Sequence, residues 1–289
     1  MTNAVKLVEC PRDSWQGLPQ LIPAQAKSDY LRTLIATGFQ HIDAASFVSA
    51  TAVPQMADSE EVLAMLGAPP DIELIGIVVN ARGAERAIAT GKVSTLGYPY
   101  SISPQFLQRN QHQSQQQSLA ELKAIAKLSN GSGLGMVVYV SMAFGNPYGE
   151  AWSAASVMEA CHLLQSIGVQ QISLADTVGI ATLDQVNDVV TQVLKAINDV
   201  EIGIHLHARP DGSAAKIAAA YRAGCRRFDT SIGGIGGCPF AQDALIGNIA
   251  TEVAMAELAR LGADLPNIAH LDAIRVAASD IAQNHGNTH

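Results

Sequence analysis

Two histidines stand two residues apart in His205-Leu206-His207, at the end of the β-rich run Glu201–His207. In a strand, side chains at i and i+2 share a face, so both imidazoles can reach one ion. Two histidines at this spacing also arise by chance, and a hydrogen-bonded pair at a strand end would leave the same trace. A second element follows the first β-rich run, in Glu9-Cys10-Pro11-Arg12-Asp13. Asp13 could complete a facial set of two nitrogens and one oxygen. Such mixed ligation with open positions suits Mg²⁺, Mn²⁺ or another divalent ion that polarises a substrate oxygen. Arg12 beside it would be a fixed cation able to stabilise developing negative charge. For an isolated Arg-Asp dipeptide, an exposed ion pair is the simpler account.

The third element is Gly233-Gly234-Ile235-Gly236-Gly237-Cys238-Pro239-Phe240. Four glycines in five residues let the backbone approach a ligand closely. A thiol on such a loop, Cys238, could act as an acid or base delivered when the loop closes. A flexible connection with an inert cysteine has the same composition. Downstream, Gly247-Asn248 offers an amide oxygen that could join a metal, or merely cap a helix.

These residues need a scaffold that gathers strand ends. Short β-rich runs alternate with amphipathic stretches along the chain: Val5–Glu9, His41–Asp43, Glu73–Val79, Val93–Gly97, Gly135–Ser141, Gln171–Ala175, Glu201–His207 and Arg227–Thr230. The helical stretches between them include Ala24–Ala36, Ala84–Ala89, Leu119–Leu128, Ser153–Ser166, Leu183–Ile197 and Ser213–Ala223. Several end on a glycine just before the next strand, at Gly38, Gly91, Gly168 and Gly224, where glycine tolerates the left-handed turn. Eight strand–helix repeats predict an α/β fold, a closed (β/α)8 TIM barrel, with the Gly-rich segment followed by C-terminal helices that cap or extend it. An open doubly wound sheet is the fallback, but no G-x-G-x-x-G follows the first strand. In a barrel the active site lies at the carboxyl ends of the strands, which turns these scattered residues into neighbours. The polar stretch Asn110–Ser118 reads as a solvated loop with the start of a helix.

Length and composition agree with one domain over residues 1–289, the barrel spanning about 4–235 and the helical extension about 240–285. The chain is 48% hydrophobic and 15% charged, which excludes a disordered protein. Net charge is −8 and the basic residues are scattered, which disfavours nucleic-acid binding, though a few local cations can still hold an anionic ligand. Cys10, Cys161, Cys225 and Cys238 lie far apart with no C-x-x-C pair, pointing to a reducing compartment. Neither a signal-peptide pattern nor an apolar run of membrane-spanning length is present, so the expected location is the cytoplasm.

Together these elements resemble the 3-hydroxy-3-methylglutaryl-CoA lyase family, within the metal-dependent barrel lyases and Claisen-type synthases. The matching pieces are Val8–Asp13, Ser46–Ser49 with Val53–Met56, Ser173–Gly179, His205–His207, the Cys238 loop and Gly247–Glu252. They cover nearly the whole chain in the family's order. The resemblance implies that Asp13, His205, His207 and Asn248 hold the metal. It implies a catalytic set of Arg12, Cys238, His205, Asp43 and Asp176, with Gln16 positioning Arg12. Arg12 would sit over the thioester oxygen of an acyl-CoA, and Cys238 would assist proton transfer. A homodimer is implied as well.

The sequence also departs from the family. Its Gly-Leu after Arg-Asp is Ser14-Trp15, which predicts a bulky ring near Arg12, and Leu18-Pro19 replace charged residues. Asp43 stands for a glutamate. Ala208 stands where an Asp follows the second histidine, with Arg209 or Asp211 as candidate replacements, and Met142 and Asn146 stand for cysteines. The metal set survives while its surroundings change. The expectation is therefore an acyl-CoA carbon–carbon lyase acting on a 3-hydroxy-3-methylglutaryl-CoA-type substrate, giving acetyl-CoA and acetoacetate. The alternatives are a related 3-hydroxyacyl-CoA such as citramalyl-CoA, or a non-catalytic acyl-CoA-binding relative.

Overall fold

The computed structural model describes residues 3–237 and 246–286. Eight parallel strands run in chain order: β1 (Lys6–Glu9), β2 (His41–Ser46), β3 (Glu73–Ile77), β4 (Thr95–Ser101), β5 (Gly135–Ser141), β6 (Gln171–Asp176), β7 (Glu201–Ala208) and β8 (Arg227–Thr230). Each pairs with its sequence neighbour, and β8 pairs back onto β1 through Leu7 opposite Phe228 and Val8 opposite Asp229, so the sheet closes. The eight strands predicted from the sequence are all present, with ends shifted by a few residues.

Helices wrap the outside: α1 (Pro11–Gln16), α2 (Ala24–Ala36), α3 (Ser59–Leu66), α4 (Ala81–Ala89), α5 (Pro104–Gln111), α6 (Gln115–Gly131), α7 (Ala154–Ile167), α8 (Leu183–Ala196) and α9 (Ser213–Arg222). The outward faces of the strands (Leu7, Ile42, Leu74, Leu96, Val138, Ile172, Phe228) bury against helix residues such as Leu34, Leu122, Leu164 and Val190. A separate cluster of Val8, Ile75, Ile77, Val137 and Tyr139 fills the barrel interior. The glycines expected to stop helices do so: Gly38, Gly91, Gly168 and Gly224 all have positive φ, between 61° and 109°.

Three short helices, α1, α3 and α5, lie where no helix was expected, since each is shorter than the window over which an apolar period can be counted. The Gln-rich stretch holds a helix boundary. α5 ends at Gln111, and Ser114 with Gln117 forms a reciprocal capping box that starts α6.

After β8 the chain forms β9 (Gly247–Asn248), which runs antiparallel to β7 with Asn248 opposite His207. Then come α10 (Thr251–Arg260) and α11 (Leu271–His285). α11 lines a small apolar gap with Trp15 and Leu18 of the α1 region, Tyr30 of α2, and Ile232 and Ile235, at the β1–β8 side of the barrel mouth. No helix among the described residues is long and apolar enough to cross a membrane.

Candidate active site

β1 delivers the chain to the barrel mouth, and Pro11 starts α1 immediately, its fixed φ suiting the first helical position. Arg12 and Asp13 therefore fall in the first turn, and both are buried. β7, separated from β1 only by β8, brings His205 and His207 on one face, their rings 5.0 Å apart and nearly perpendicular. A ligand atom from each of Asp13, His205 and His207 lies within 4.8 Å of the other two. His205 Nε2 faces Asp13 Oδ2 at 3.9 Å. Asn248 joins them from β9, its Nδ2 donating to Asp13 Oδ2 at 2.8 Å and to the Ile235 carbonyl at 3.0 Å.

Arg12 is held on every side. Its Nε donates to Asp43 Oδ1 at 3.1 Å, and its Nη2 donates to Asp43 Oδ2. Nη1 donates to Asp13 Oδ1 at 3.1 Å and to Gln16 Oε1 at 2.9 Å, while Gln16 Nε2 donates back to Asp13 Oδ1 at 2.7 Å. Burial works against the guanidinium charge, but Asp43 and Asp13 outweigh it and hold Arg12 protonated. Burial would likewise raise Asp13, yet Arg12 and the two histidines keep it below the usual carboxylate range.

The two imidazoles differ. His207 Nδ1 lies 3.0 Å from the Asp176 carbonyl oxygen, which can only accept, so Nδ1 carries the proton. Burial, then the neighbouring His205, push His207 down to about 4, so the ring is neutral near pH 7 with an Nε2 lone pair. That buried Nε2 has no hydrogen-bond partner among the described residues. A buried nitrogen of this kind, facing a carboxylate and a second imidazole, fits a divalent cation, and two nitrogens with one oxygen are a suitable donor set. Behind His205, Asp229 Oδ2 lies 3.7 Å from Nδ1, beyond hydrogen-bond reach, and accepts from Ser173 Oγ at 2.6 Å.

The remaining sequence candidates fall out as follows. Asp43 meets Arg12. The Asp176 carboxylate turns away from the metal-ligand cluster to Lys216 Nζ at 2.5 Å and the Ala181 N–H at 3.2 Å, so it reaches the cluster only through its main-chain carbonyl. Cys238 lies outside the described residues, but the segment leading to it is packed on the site. At Gly236, with φ +84°, an added Cβ would come within 2.7 Å of the Ser14 Cα and 2.8 Å of the Asp13 carbonyl oxygen. Ser14 supports that segment through Ser231 Oγ at 2.6 Å.

The Trp15 ring, expected beside Arg12, is buried in the core and lies edge-on to Tyr30 of α2 with centroids 5.7 Å apart. Arg209 and Asp211, which follow Ala208, face each other 3.8 Å apart with exposed side chains.

Lys216, Asp229 and Glu9 are among the buried ionisable groups to which the sequence reading gave no role. Lys216 sits within the Ala-rich helix α9, where a charge inside an apolar pattern is the signal that marks it; Asp229 follows Phe228 on the short strand β8 (Arg-Phe-Asp-Thr), which has no apolar pattern to break. Glu9 accepts from the Ile232 N–H at 2.8 Å and Thr251 Oγ1 at 2.6 Å, anchoring the base of the Gly-rich segment to β1. Burial pushes Glu9 up to about 8.

The family model described as HMGL-like matches residues 4–281. The mitochondrial hydroxymethylglutaryl-CoA lyase of Bos taurus is 34% identical over 261 residues, covering 89% of this chain and 79% of its own. The hydroxymethylglutaryl-CoA lyase of Pseudomonas aeruginosa superposes with a TM-score of 0.90 at 30% identity, over 100% of this chain and 95% of that one. An HMG-CoA lyase from Acenitobacter baumannii, solved in complex with coenzyme A and 3-methylmalate, superposes with a TM-score of 0.89 at 31% identity, over 99% of this chain and 93% of that one.

Proposed function

Because the chain belongs to the HMGL-like family and is a lyase of the hydroxymethylglutaryl-CoA lyase type, we propose that it cleaves 3-hydroxy-3-methylglutaryl-CoA to acetyl-CoA and acetoacetate at the Asp13–His205–His207 cluster. The observation that carries this reading is the convergence of those three side chains with Arg12 hydrogen-bonded to one of them. The coenzyme A and 3-methylmalate in the Acenitobacter baumannii complex support an acyl-CoA substrate.

Asp13, His205 and His207 would hold the ion, with the Asn248 carboxamide turned so that its oxygen completes the set. When bound, Mg²⁺ or Mn²⁺ supplies Lewis acidity toward substrate oxygens. The chain's own residues do the rest. Arg12 is oriented by Asp43 and Gln16 so that its charge faces the thioester oxygen. Cleavage breaks the C2–C3 bond: the hydroxyl proton passes to a base of the site, the C–O bond becomes a carbonyl, and the bonding pair moves onto the acetyl-CoA enolate. Arg12 stabilises that enolate oxygen, and protonation at carbon, assisted by the Cys238 thiol, completes the product.

We take residues 1–289 as one lyase domain, a reading supported by the family match running through both the barrel and the following helices. The protein would act as a cytoplasmic homodimer.

The test is acetyl-CoA release from 3-hydroxy-3-methylglutaryl-CoA and citramalyl-CoA, with Mg²⁺ or Mn²⁺ and with chelator, for the wild type, Arg12→Met and Cys238→Ala. Metal-dependent cleavage of the first, lost in Arg12→Met, supports the proposal. Cleavage of citramalyl-CoA alone would move the assignment to that substrate, and cleavage of neither would overturn it.

A further inference from the structure

β7 ends at Ala208, where an acid follows the second histidine in the family it resembles, and no side chain of that residue can tie down the strand end. Lys216 meets it instead. From α9 its Nζ donates to the His207 carbonyl at 2.9 Å, to Asp176 Oδ2 at 2.5 Å and to the Gly179 carbonyl at 3.0 Å. Three protons meet three acceptors, and the side chain is only 9% exposed. The remaining link is His207 Nδ1 to the Asp176 carbonyl at 3.0 Å. The bonds close a ring: Lys216 to the main chain of His207, His207 through its imidazole to the main chain of Asp176, and Asp176 through its carboxylate back to Lys216. Within the ring, the ends of two paired strands, β6 and β7, are clamped together, and His207 is left with one tautomer that turns Nε2 to Asp13.

We propose that Lys216 is a positioning residue for the metal site, acting through Asp176 and His207 at the strand end that Ala208 leaves without a side-chain anchor. The inference rests on reading Asp13, His205 and His207 as the metal site. Partners that orient a ligating histidine typically govern metal affinity by roughly 10–100-fold. Lys216 would do so without touching the ion, and its effect would appear in binding rather than in fold.

The experiment measures Mn²⁺ affinity by titration followed with electron paramagnetic resonance. It uses the full chain as wild type, Lys216→Met, Lys216→Gln, Lys216→Arg, Asp176→Asn and the Lys216→Met/Asp176→Asn double variant, each checked for cooperative melting. The expected result is a Kd weakened roughly 10–100-fold in Lys216→Met, with part of the loss recovered in Lys216→Arg. The double variant should be little worse than the worse single one, since both break the same ring. A Lys216→Met Kd within about twofold of wild type would overturn the inference. If Lys216→Met does not fold, Lys216→Gln decides, because a carboxamide has two protons for three acceptors. A several-fold loss supports the proposal and an unchanged Kd overturns it. Absence of Mn²⁺ binding by the wild type would strike the metal-site reading itself, a failure recognised without any variant.

Discussion

Arg12 and Asp43 face each other edge to edge, Nε on one carboxylate oxygen and Nη2 on the other, although 31 residues separate them in the chain. The pair joins the first turn after β1 to the inward face of β2, and fixes the plane of the guanidinium. A fork held this way is pre-organised for a developing oxyanion, whereas a lysine in its place would be a point charge on a flexible stem. Arg12→Met is therefore expected to lower kcat by roughly 10²–10³-fold with Mn²⁺ affinity within a few-fold of wild type. Arg12→Lys should not restore the rate. Steady-state kinetics and metal titration on the same preparations check this.

Removal of the metal should be visible in stability as well as in activity. An ion that binds only the folded chain stabilises it by about 2.7 kcal/mol at one hundred times its Kd. Adding Mn²⁺ to chelator-treated protein is expected to raise Tm, and Asp13→Ala should abolish the rise. A Tm indifferent to Mn²⁺ in the wild type would remove the metal from this site.

Gly236→Ala places a methyl group against the Asp13 carbonyl and the Ser14 Cα, both closer than 3.0 Å, at a backbone angle that L side chains rarely adopt. The Gly-rich segment and Asp13 must then separate. The expected outcome is weaker Mn²⁺ binding and an activity loss of about tenfold or more, since small displacements of a positioned ligand cost heavily. Unchanged kinetics would mean that the segment does not bear on Asp13 in solution.

Glu9 sets a pH dependence of stability. Its folded value is raised, from 4.5 to about 8, so between those values the folded chain holds a proton that the unfolded chain has released. The stabilising contribution is full below about 4.5 and is lost as pH rises through about 8. Each unit of separation corresponds to about 1.4 kcal/mol. Glu9→Gln, which keeps the carbonyl acceptor for the Ile232 N–H, is expected to flatten the fall in Tm between pH 5 and about 8.5. A wild-type slope preserved in the variant would assign the effect to another group.

Trp15→Ala removes a buried indole that packs on Tyr30 rather than on the site. The expected cost is about 3–5 kcal/mol of stability. Trp15→Phe should cost less and leave kcat and KM close to wild type, since the ring packs on Tyr30 in the core. A changed KM in Trp15→Phe would return the ring to the substrate side.

Much of the molecule was legible in one dimension. Strand and helix leave local periods, and the glycines at 38, 91, 168 and 224 punctuate them, so the eight-stranded barrel could be read before any coordinates. Alternation along β7 alone puts His205 and His207 on one face, and the strand-end rule brings Asp13 to them. The tertiary structure decided what each group is bonded to. Whether Arg12 is an exposed cation or a locked fork depends on Asp43. Whether Asp176 faces the cluster depends on Lys216, 40 residues later, and Asn248 reaches Asp13 across 235 residues. Trp15 shows the same division: its position in the sequence places it beside Arg12, but the turn of α1 points it into the core. A side chain's partner and burial follow from the closing of the barrel, which depends on all eight strands at once. Residue type and local period carry the donor set; only the closed fold determines which donor meets which acceptor.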